Sequence, residues 1–189
     1  MKIVAFVLLT FALLNASPVS EGNKLFANGD YGKALESYLS ARKENPAEPA
    51  LFYNIGTCQY MLGNYEDALK ELEPAVRFPD SSLAAKAAYN LANAYFRSGE
   101  KAESATKIEA WRQSIAYLKK AIELVPNYEK AKKNIEIVQR RLKEALDEQK
   151  NEQQENDQNK QDEPEMSEAA KAALARALQF CKEGKYAPA

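Results

Sequence analysis

A sequence repeat limits the folds that this chain can adopt. Residues 28–38 read NGDYGKALESY, and residues 62–72 read LGNYEDALKEL. A period of this length is typical of a helix–turn–helix unit, which buries its apolar face only by stacking on its neighbours. The repeat therefore predicts an all-α solenoid. Three residue types recur 34 positions later: Gly29 matches Gly63, Tyr31 matches Tyr65, and Ala34 matches Ala68.

The small residues of the repeat indicate where the helices approach each other. Gly22 and Gly56 fall inside the first helix of each unit, where a neighbouring helix must come close. Gly29 and Gly63 follow that helix, at a position suited to a left-handed backbone conformation that ends it. Alanines seven residues apart share one face of the second helix. They are Ala34 and Ala41 in one unit and Ala68 and Ala75 in the next.

The repeat resembles the tetratricopeptide repeat (TPR). Residues 49–82 carry the TPR positions most fully, and residues 15–48 carry mainly the second half of a unit. A third unit starts as AAYNLANAYFRSG in residues 87–99 and ends as WRQSIAYLKKAIELVP in residues 111–126. The resemblance implies three stacked helix pairs, joined by short turns.

Two places depart from the repeat. Ten extra residues separate the halves of the third unit, where Trp111 takes the place of Tyr65. Thr106 and Glu109 have the spacing of a capping box, so we expect the second helix to begin about one turn before Trp111. Pro74 falls inside the second helix of the second unit and removes a backbone donor, which predicts a kink.

The segment after the third unit predicts a terminal helix. Residues 129–150 contain no turn glycine, and one face carries an apolar stripe that would cover the open end of the solenoid. We therefore assign residues 21–150 to one TPR domain of three repeats and a capping helix. The residues of the stripe are Ala131, Ile135, Val138 and Leu142.

The composition changes twice beyond this domain. Residues 151–165 are rich in Gln, Asn and Glu and have no aliphatic or aromatic side chain, which predicts a flexible polar linker. Residues 166–189 resume as an amphipathic helix with Ser167 as a candidate N-cap. Its apolar face, which includes Leu174 and Leu178, has no obvious partner. Either the helix folds back into the groove, or it docks on another chain and forms a homo-oligomer.

The start of the chain has the organisation of a targeting segment. Lys2 precedes an apolar run from Ile3 to Leu14, and small and polar residues follow. This fits a secretory signal peptide in residues 1–20, cleaved after Ala16 or Ser20, because the run is short for a membrane span. The alternative is an uncleaved membrane anchor. In both cases the rest of the chain would lie beyond a membrane.

The composition excludes several kinds of chemistry. The chain contains no histidine, so it lacks the Ser–His and Cys–His arrangements of nucleophilic catalysis. Its seven glycines form no phosphate-binding loop, and 26 Lys and Arg against 27 Asp and Glu do not indicate a nucleic-acid partner. Cys58 and Cys181 are too few for a zinc cluster, and we expect Cys58 to be buried. We predict no enzyme activity, cofactor or metal.

The resemblance to TPR domains also implies a binding surface. The first helices of such domains line a concave groove that binds protein or peptide segments, with rings for contact area and amides for the peptide backbone. The rings of Phe26, Tyr60 and Phe96 could instead pack between repeats, and this alternative stays open. The candidate residues are Asn23, Phe26, Tyr53, Asn54, Thr57, Tyr60, Lys86, Tyr89, Asn90, Asn93, Phe96 and Arg97.

Some TPR domains hold a C-terminal carboxylate with two lysines, two asparagines and an arginine. Asn23, Asn54 and Lys86 fall on three of those five positions. Val19 and Asn90 stand at the other two, where the first lysine and the arginine would be. Because most of the positive charge is missing, a carboxylate would be held weakly. We therefore do not expect this clamp.

A narrower resemblance combines several of these features. The secretory start, the three units with a late third unit reading AKAAYNLANAYFRSG, the long final helix and the polar tail are together similar to TPR proteins of bacterial aerotolerance (Bat) operons. Such a protein would be a periplasmic adaptor beside membrane-anchored von Willebrand factor A-domain proteins and a MoxR-type ATPase, in envelope assembly or stress tolerance. The alternative is a structural TPR coordinator of outer-membrane or peptidoglycan assembly.

Overall fold

A computed structural model describes residues 17–162 and 167–183 of the chain. Every regular element in these two ranges is an α-helix, which confirms the all-α class. The predicted signal peptide lies outside them except for residues 17–20. The helices are α1 (Pro18–Ala27), α2 (Tyr31–Glu44), α3 (Pro49–Met61), α4 (Tyr65–Ala75), α5 (Ser81–Glu100), α6 (Ser104–Leu124), α7 (Glu129–Asp162) and α8 (Glu168–Lys182).

The described residues divide into two compact units, one that ends at residue 146 and one that begins at residue 147. In the first unit, α1 packs on α2, α3 on α4, and α5 on α6. Each pair also contacts the next one, through α2 with α3 and through α4 with α5. This order of contacts is that of a helix–turn–helix solenoid with three repeats, as the 34-residue period predicts.

The glycines have the two roles that the sequence predicts. Gly29 and Gly63 follow α1 and α3 with φ values of +84° and +80°, in the left-handed region that an L side chain rarely adopts. Gly22 and Gly56 lie inside these helices, where a second helix approaches closely. A Cβ atom on Gly56 would lie 2.6 Å from Cγ of Leu72 on α4.

The third repeat has longer helices than the first two. The ten extra residues extend both, so that α5 has 20 residues and α6 has 21. Helix α6 begins at Ser104 rather than one turn before Trp111, and the capping box predicted from Thr106 and Glu109 is wrong because both residues lie within the helix. Gly99, which follows the first-helix motif of the third unit two residues later than the 34-residue period would place a turn glycine, is buried inside α5. A Cβ atom on it would lie 2.8 Å from Cδ1 of Trp111.

Pro74 lies inside α4, next to its last residue, and the kink expected there stays a prediction. The helix ends at Ala75, one residue later, after 11 residues, whereas α2 has 14. The proline has no backbone N–H to bond to the carbonyl of Lys70, four residues earlier, so the last turn of the helix lacks one hydrogen bond. Arg77 N–H then bonds to the Pro74 carbonyl in the turn that follows.

The core of the first unit runs along the stack as three apolar clusters. The first joins the first and second repeats and contains Ile55 and Cys58, which confirms that Cys58 is buried. The second joins the second and third repeats through Leu72 and Leu91. The third contains Leu118 of α6 together with residues of α7. Each repeat therefore depends on its neighbour for burial, as expected of a solenoid.

The first part of α7 is the predicted capping helix. Ala131 and Val138 are buried in the third cluster, and Ile135 and Leu142 pack against it. The helix continues to Asp162, however, into the segment predicted to be a flexible linker. This difference has a simple physical reason, since residues 151–162 are mostly Gln, Glu, Asn, Asp and Lys and contain neither glycine nor proline. Residues 163–165 of the predicted linker lie outside the described ranges.

Helix α8 belongs to the second unit. Ser167 caps it, because its Oγ accepts a hydrogen bond of 3.3 Å from the Ala170 amide. All its side chains are exposed, and Leu178 retains 55% of its accessible surface. Residues 166 and 184–189 of the predicted C-terminal helix lie outside the description. Among residues 17–162 and 167–183, no helix is both long enough and apolar enough to cross a membrane.

Candidate functional site

A small cavity lies between the first and second repeats. Its volume is about 160 Å³. Five of its six lining residues belong to the predicted concave face, and the sixth, Tyr38, comes from α2. None of the six is a Lys, Arg, Asp or Glu. They are Asn23, Phe26, Tyr38, Tyr53, Asn54 and Thr57.

Tyr38 fixes the orientation of Asn23. Its hydroxyl donates a hydrogen bond of 2.7 Å to Oδ1 of Asn23. Burial raises the pKa of Tyr38 to about 12, so the hydroxyl stays protonated and acts as the donor at neutral pH. Because this bond occupies Oδ1, the Nδ2 group of Asn23 keeps its two N–H donors for another partner.

Asn54 supplies a second amide to the cavity. Its side chain is half-buried and makes no hydrogen bond within the described part of the chain. Thr57, one turn further along α3, is already bonded twice: it donates to the Tyr53 carbonyl at 2.7 Å and accepts from Nδ2 of Asn90 at 3.0 Å. The cavity therefore offers the amides of Asn23 and Asn54 beside aromatic side chains.

The same asparagine position recurs at each junction of the stack. Asn90 on α5 reaches back to Thr57 on α3. Asn134 on α7 reaches back to Oδ1 of Asn93 on α5 at 2.9 Å. Asn54 on α3 stands at the equivalent place relative to α1, but it forms no such bond, and this is where the cavity lies. The first junction is therefore the open one.

Packing between repeats was the open alternative for the rings of Phe26, Tyr60 and Phe96. Each of these rings contacts a ring on the second helix of its own repeat. Phe26 lies 5.1 Å from Tyr31 between ring centroids, in an edge-to-face arrangement. The centroids of Tyr60 and Tyr65 are 5.9 Å apart. Phe96 stacks on Trp111 at 5.5 Å. All three first-helix rings are partly buried, and of these only Phe26 also lines the cavity.

The candidates on α5 lie apart from the cavity. The ring of Tyr89 lies 5.2 Å from that of Tyr128 between centroids, in a tilted arrangement, and its hydroxyl accepts a bond from Asn134 at 3.2 Å. Arg97 forms an ion pair of 2.9 Å with Glu100. Lys86 is exposed. The structure therefore brings the candidates of the first two repeats together, except Tyr60. Of the third-repeat candidates, only Asn90 reaches a lining residue of the cavity, through its bond to Thr57.

Sequence reasoning missed three residues of this surface, namely Tyr38, Tyr128 and Asn134. A signal for Tyr38 was available, because it occupies the position of Leu72 in the second repeat, 34 residues later. A hydroxyl at an otherwise aliphatic core position must find a partner nearby. The signal for Asn134 was weaker, since α7 follows no turn glycine that would fix its alignment with the repeats.

The arrangement is suited to binding by shape and hydrogen bonding. Within residues 17–162 and 167–183, no group of three or more Cys, Asp and Glu side chains could hold a metal ion. Stacked helix pairs with small residues between them define a helical-repeat protein. The tetratricopeptide repeat family model matches residues 19–82 and 63–129, more than half of the chain, and the chain belongs to this family.

Comparisons with known proteins agree with this family. The chain is similar to the small glutamine-rich tetratricopeptide repeat-containing protein 2 of Mycosarcoma maydis, with 30% identity over 61% of this chain and 30% of that protein. The chain thus spans less than a third of the length of this relative. Among solved structures, it is similar to the Sgt2 TPR domain of Aspergillus fumigatus, with 25% identity, a TM-score of 0.58, and coverage of 68% and 79% of the two chains.

A second solved structure shows the same fold with a ligand. The first TPR of Spaghetti (RPAP3), bound to the HSP90 peptide SRMEEVD, has 22% identity and a TM-score of 0.57. The similarity covers 66% of this chain and 90% of that chain. At this level of identity the comparison concerns the fold alone.

Proposed function

We propose that this protein is a scaffold that binds extended protein segments at the junction of α1 and α3. The observation that carries the proposal is the cavity between the first two repeats, where Asn54 makes no hydrogen bond with the described residues. Asn54 is only half-buried, so its amide is open to water and can pair with a ligand instead. A peptide backbone would supply both the donor and the acceptor that an amide side chain needs.

Two further observations support a binding role rather than catalysis. The chain has no histidine, and the cavity contains no ionisable carboxylate or amine that could move a proton. The TPR of Spaghetti, which has the same fold, holds a peptide in its solved structure. A groove built from the first helices of stacked pairs is therefore a reasonable place for a ligand in this chain.

A peptide library tests this function directly. Random peptides displayed on phage would be selected against the full chain, and selected peptides would be titrated by fluorescence polarisation. Asn54→Ala should weaken their binding by about fivefold, as expected for one net hydrogen bond. Asn127→Ala is the matched control, because this asparagine is exposed in the loop before α7. Failure to select any peptide, or equal affinities of wild type and Asn54→Ala, would contradict the proposal.

We also propose that the protein is exported and acts in the periplasm. Ser17 supports cleavage after Ala16, because its Oγ caps α1 by accepting a bond of 3.2 Å from the Ser20 amide. Cleavage after Ser20 would remove the cap and the first turn of the helix. Amino-terminal sequencing of protein from a periplasmic fraction should give Ser17 as the first residue. A start at Glu21, or retention in the cytoplasm, would contradict this proposal.

For the partners, we propose the von Willebrand factor A-domain proteins that the resemblance to Bat operons implies, in envelope assembly or stress tolerance. The alternative is a role in outer-membrane or peptidoglycan assembly. Crosslinking in cells followed by purification separates the two. Recovery of von Willebrand-type membrane proteins favours the first, whereas recovery of barrel-assembly or peptidoglycan components favours the second.

Homo-oligomer formation through the C-terminal helix stays a prediction, as does its alternative of folding into the groove. Deleting residues 166–189 distinguishes them. If α8 joins two chains, light scattering should show a smaller particle after the deletion. If α8 occupies the groove, the deletion should increase peptide affinity without changing particle size. No change in either measurement would remove both roles.

A further inference from the structure

We infer that the cavity between α1 and α3 binds an uncharged stretch from within a polypeptide, with one aliphatic side chain inserted, and not a free C-terminal carboxylate. This inference rests on the proposed function and deepens it by naming the chemical class of the ligand. It depends on three properties of the cavity: its charge, its hydrogen-bonding groups and its size.

The charge of the cavity disfavours an anion. None of the lining residues carries a charge, and the side chains that could add one are unsuitable. Val19, one turn before Asn23 on α1, packs into the apolar cluster of the first junction. Asn90, beyond Thr57, is neutral and already bonded. A carboxylate that loses its water in such a place requires a cationic partner, because neutral donors compensate its desolvation only in part.

The hydrogen-bonding groups match a peptide backbone. Asn23 presents Nδ2, because its Oδ1 accepts from Tyr38. Asn54 presents a complete amide, with donors and an acceptor. Carbonyl oxygens of an extended chain can accept from both asparagines, and a backbone N–H can donate to Oδ1 of Asn54. Every residue of a polypeptide except proline repeats this pair of groups, so the ligand needs no free terminus.

The size of the cavity indicates one side chain. Its volume of about 160 Å³ is well below the roughly 300–1,000 Å³ that is typical of sites for whole small molecules. The rings of Phe26 and Tyr53 form apolar walls beside the two amides. An aliphatic side chain would contact these walls, and the flanking backbone would reach Asn23 and Asn54 at the opening.

Two peptide libraries with different C-termini test the inference. Both contain acetylated ten-residue peptides with random internal positions; one ends in an amide and the other in a free carboxylate. We expect both to select an internal aliphatic residue, with affinities for matched amide and acid peptides that agree within about twofold. A preference of about tenfold or more for the free acid would overturn the inference while leaving peptide binding intact. If neither library binds, the proposed function fails as well.

Substitutions give a second, independent test. Lys24→Gln removes an exposed cation next to Asn23 and should leave the affinity for both peptide classes unchanged. Val19→Lys adds a cation one turn before Asn23 and should improve binding of the acid peptides relative to the amides, with strong salt dependence. If Lys24→Gln weakens the binding of free-acid peptides selected against the wild-type protein, but not the binding of amide peptides, the wild-type site recognises a carboxylate and the inference is wrong. Circular dichroism of each variant would show that it remains folded.

Discussion

Asn134 of α7 donates a hydrogen bond of 2.9 Å to Oδ1 of Asn93 on α5. The same Nδ2 group also donates to the Tyr89 hydroxyl at 3.2 Å. The capping helix is therefore held by directed polar contacts as well as by its apolar stripe. Because Tyr89 and Asn93 are bonded to α7, these two residues of the third repeat already have partners within the chain.

The first prediction concerns this contact. Asn134→Ala should lower the free energy of unfolding by about 1–2 kcal/mol, because it removes two hydrogen bonds and leaves Oδ1 of Asn93 without its partner. Lys133→Ala, at the exposed neighbouring position, should change stability much less. Urea unfolding followed by circular dichroism measures both variants. Equal stability of the two would show that the polar contacts add nothing to the capping helix.

The second prediction concerns Ser114, whose Oγ is fully buried and has no hydrogen-bond partner among the described residues. It takes the position that Ala34 and Ala68 hold in the first two repeats. Ser114→Ala should therefore stabilise the fold by about 1 kcal/mol, since a buried hydroxyl without a partner is costly. Thermal unfolding of the full chain measures this gain.

The control for this substitution is Ser40→Ala. Ser40 lies in α2 and is exposed, so its replacement gains the same helix propensity without relieving a buried hydroxyl. The expected result is a larger gain at Ser114 than at Ser40. A loss of stability in Ser114→Ala would mean that the hydroxyl bonds to a group such as a buried water molecule.

The third prediction separates two kinds of glycine. In Gly56→Ala, the new Cβ atom would lie 2.6 Å from Cγ of Leu72 and 3.1 Å from its backbone N, so α3 and α4 would have to move apart. We expect a loss of about 1–3 kcal/mol, as is typical of an overpacked interior. In Gly32→Ala, the Cβ atom would meet nothing within 4 Å, and the better helix former should stabilise α2 by roughly 0.5–1 kcal/mol. Opposite signs in urea unfolding are the expected result, and a gain of stability in Gly56→Ala would contradict the close approach.

The fourth prediction concerns the two cysteines. Burial raises the pKa of the Cys58 thiol from 9.0 to about 11, whereas Cys181 is exposed. Iodoacetamide at about pH 8 should therefore modify Cys181 and spare Cys58 in the folded protein, because the thiolate is the reactive form. Mass spectrometry of tryptic peptides distinguishes the two sites. Rapid modification of Cys58 without denaturant would show that the first apolar cluster opens readily.

Because the pKa of Cys58 is higher in the folded chain than in the unfolded chain, the free energy of unfolding should fall at high pH. The unfolded chain ionises Cys58 near pH 9, while the folded chain keeps it neutral to about pH 11. Its contribution to stability is therefore complete below about pH 9 and is lost as the pH rises from there to about 11.

The repeated positions were predictable because each reflects a local constraint. A left-handed turn at Gly29 and close helix packing at Gly56 both require glycine, so the sequence states them directly. The third repeat was less predictable. Gly99 stands within two residues of the place of a turn glycine but serves helix packing against Trp111 instead, and residue type alone does not distinguish these roles.

The end of α7 and the boundary of the cavity were not predictable for different reasons. A segment without apolar residues has nothing to bury, which suggested a flexible linker, yet its helix propensity is high enough for the structure to extend α7 to Asp162. The cavity depends on a tertiary contact, the bond from Tyr38 on α2 to Asn23 on α1. A search restricted to first helices identifies Asn23 and misses the residue that orients it.

Asn90 and Asn134 each bridge one junction of the stack, whereas Asn54 leaves the first junction open. This pattern has a consequence for protein engineering. A synthetic array made by copying the pair α3–α4 would place each Asn54, which holds the position of Asn90, opposite Thr57 of the preceding copy, where the Asn90 bond forms in this chain. In such an array every asparagine amide between repeats would already be hydrogen-bonded within the protein. None of these amides would be available to bind a ligand. A receptor designed on this scaffold would therefore need one junction at which the asparagine has no partner within the protein.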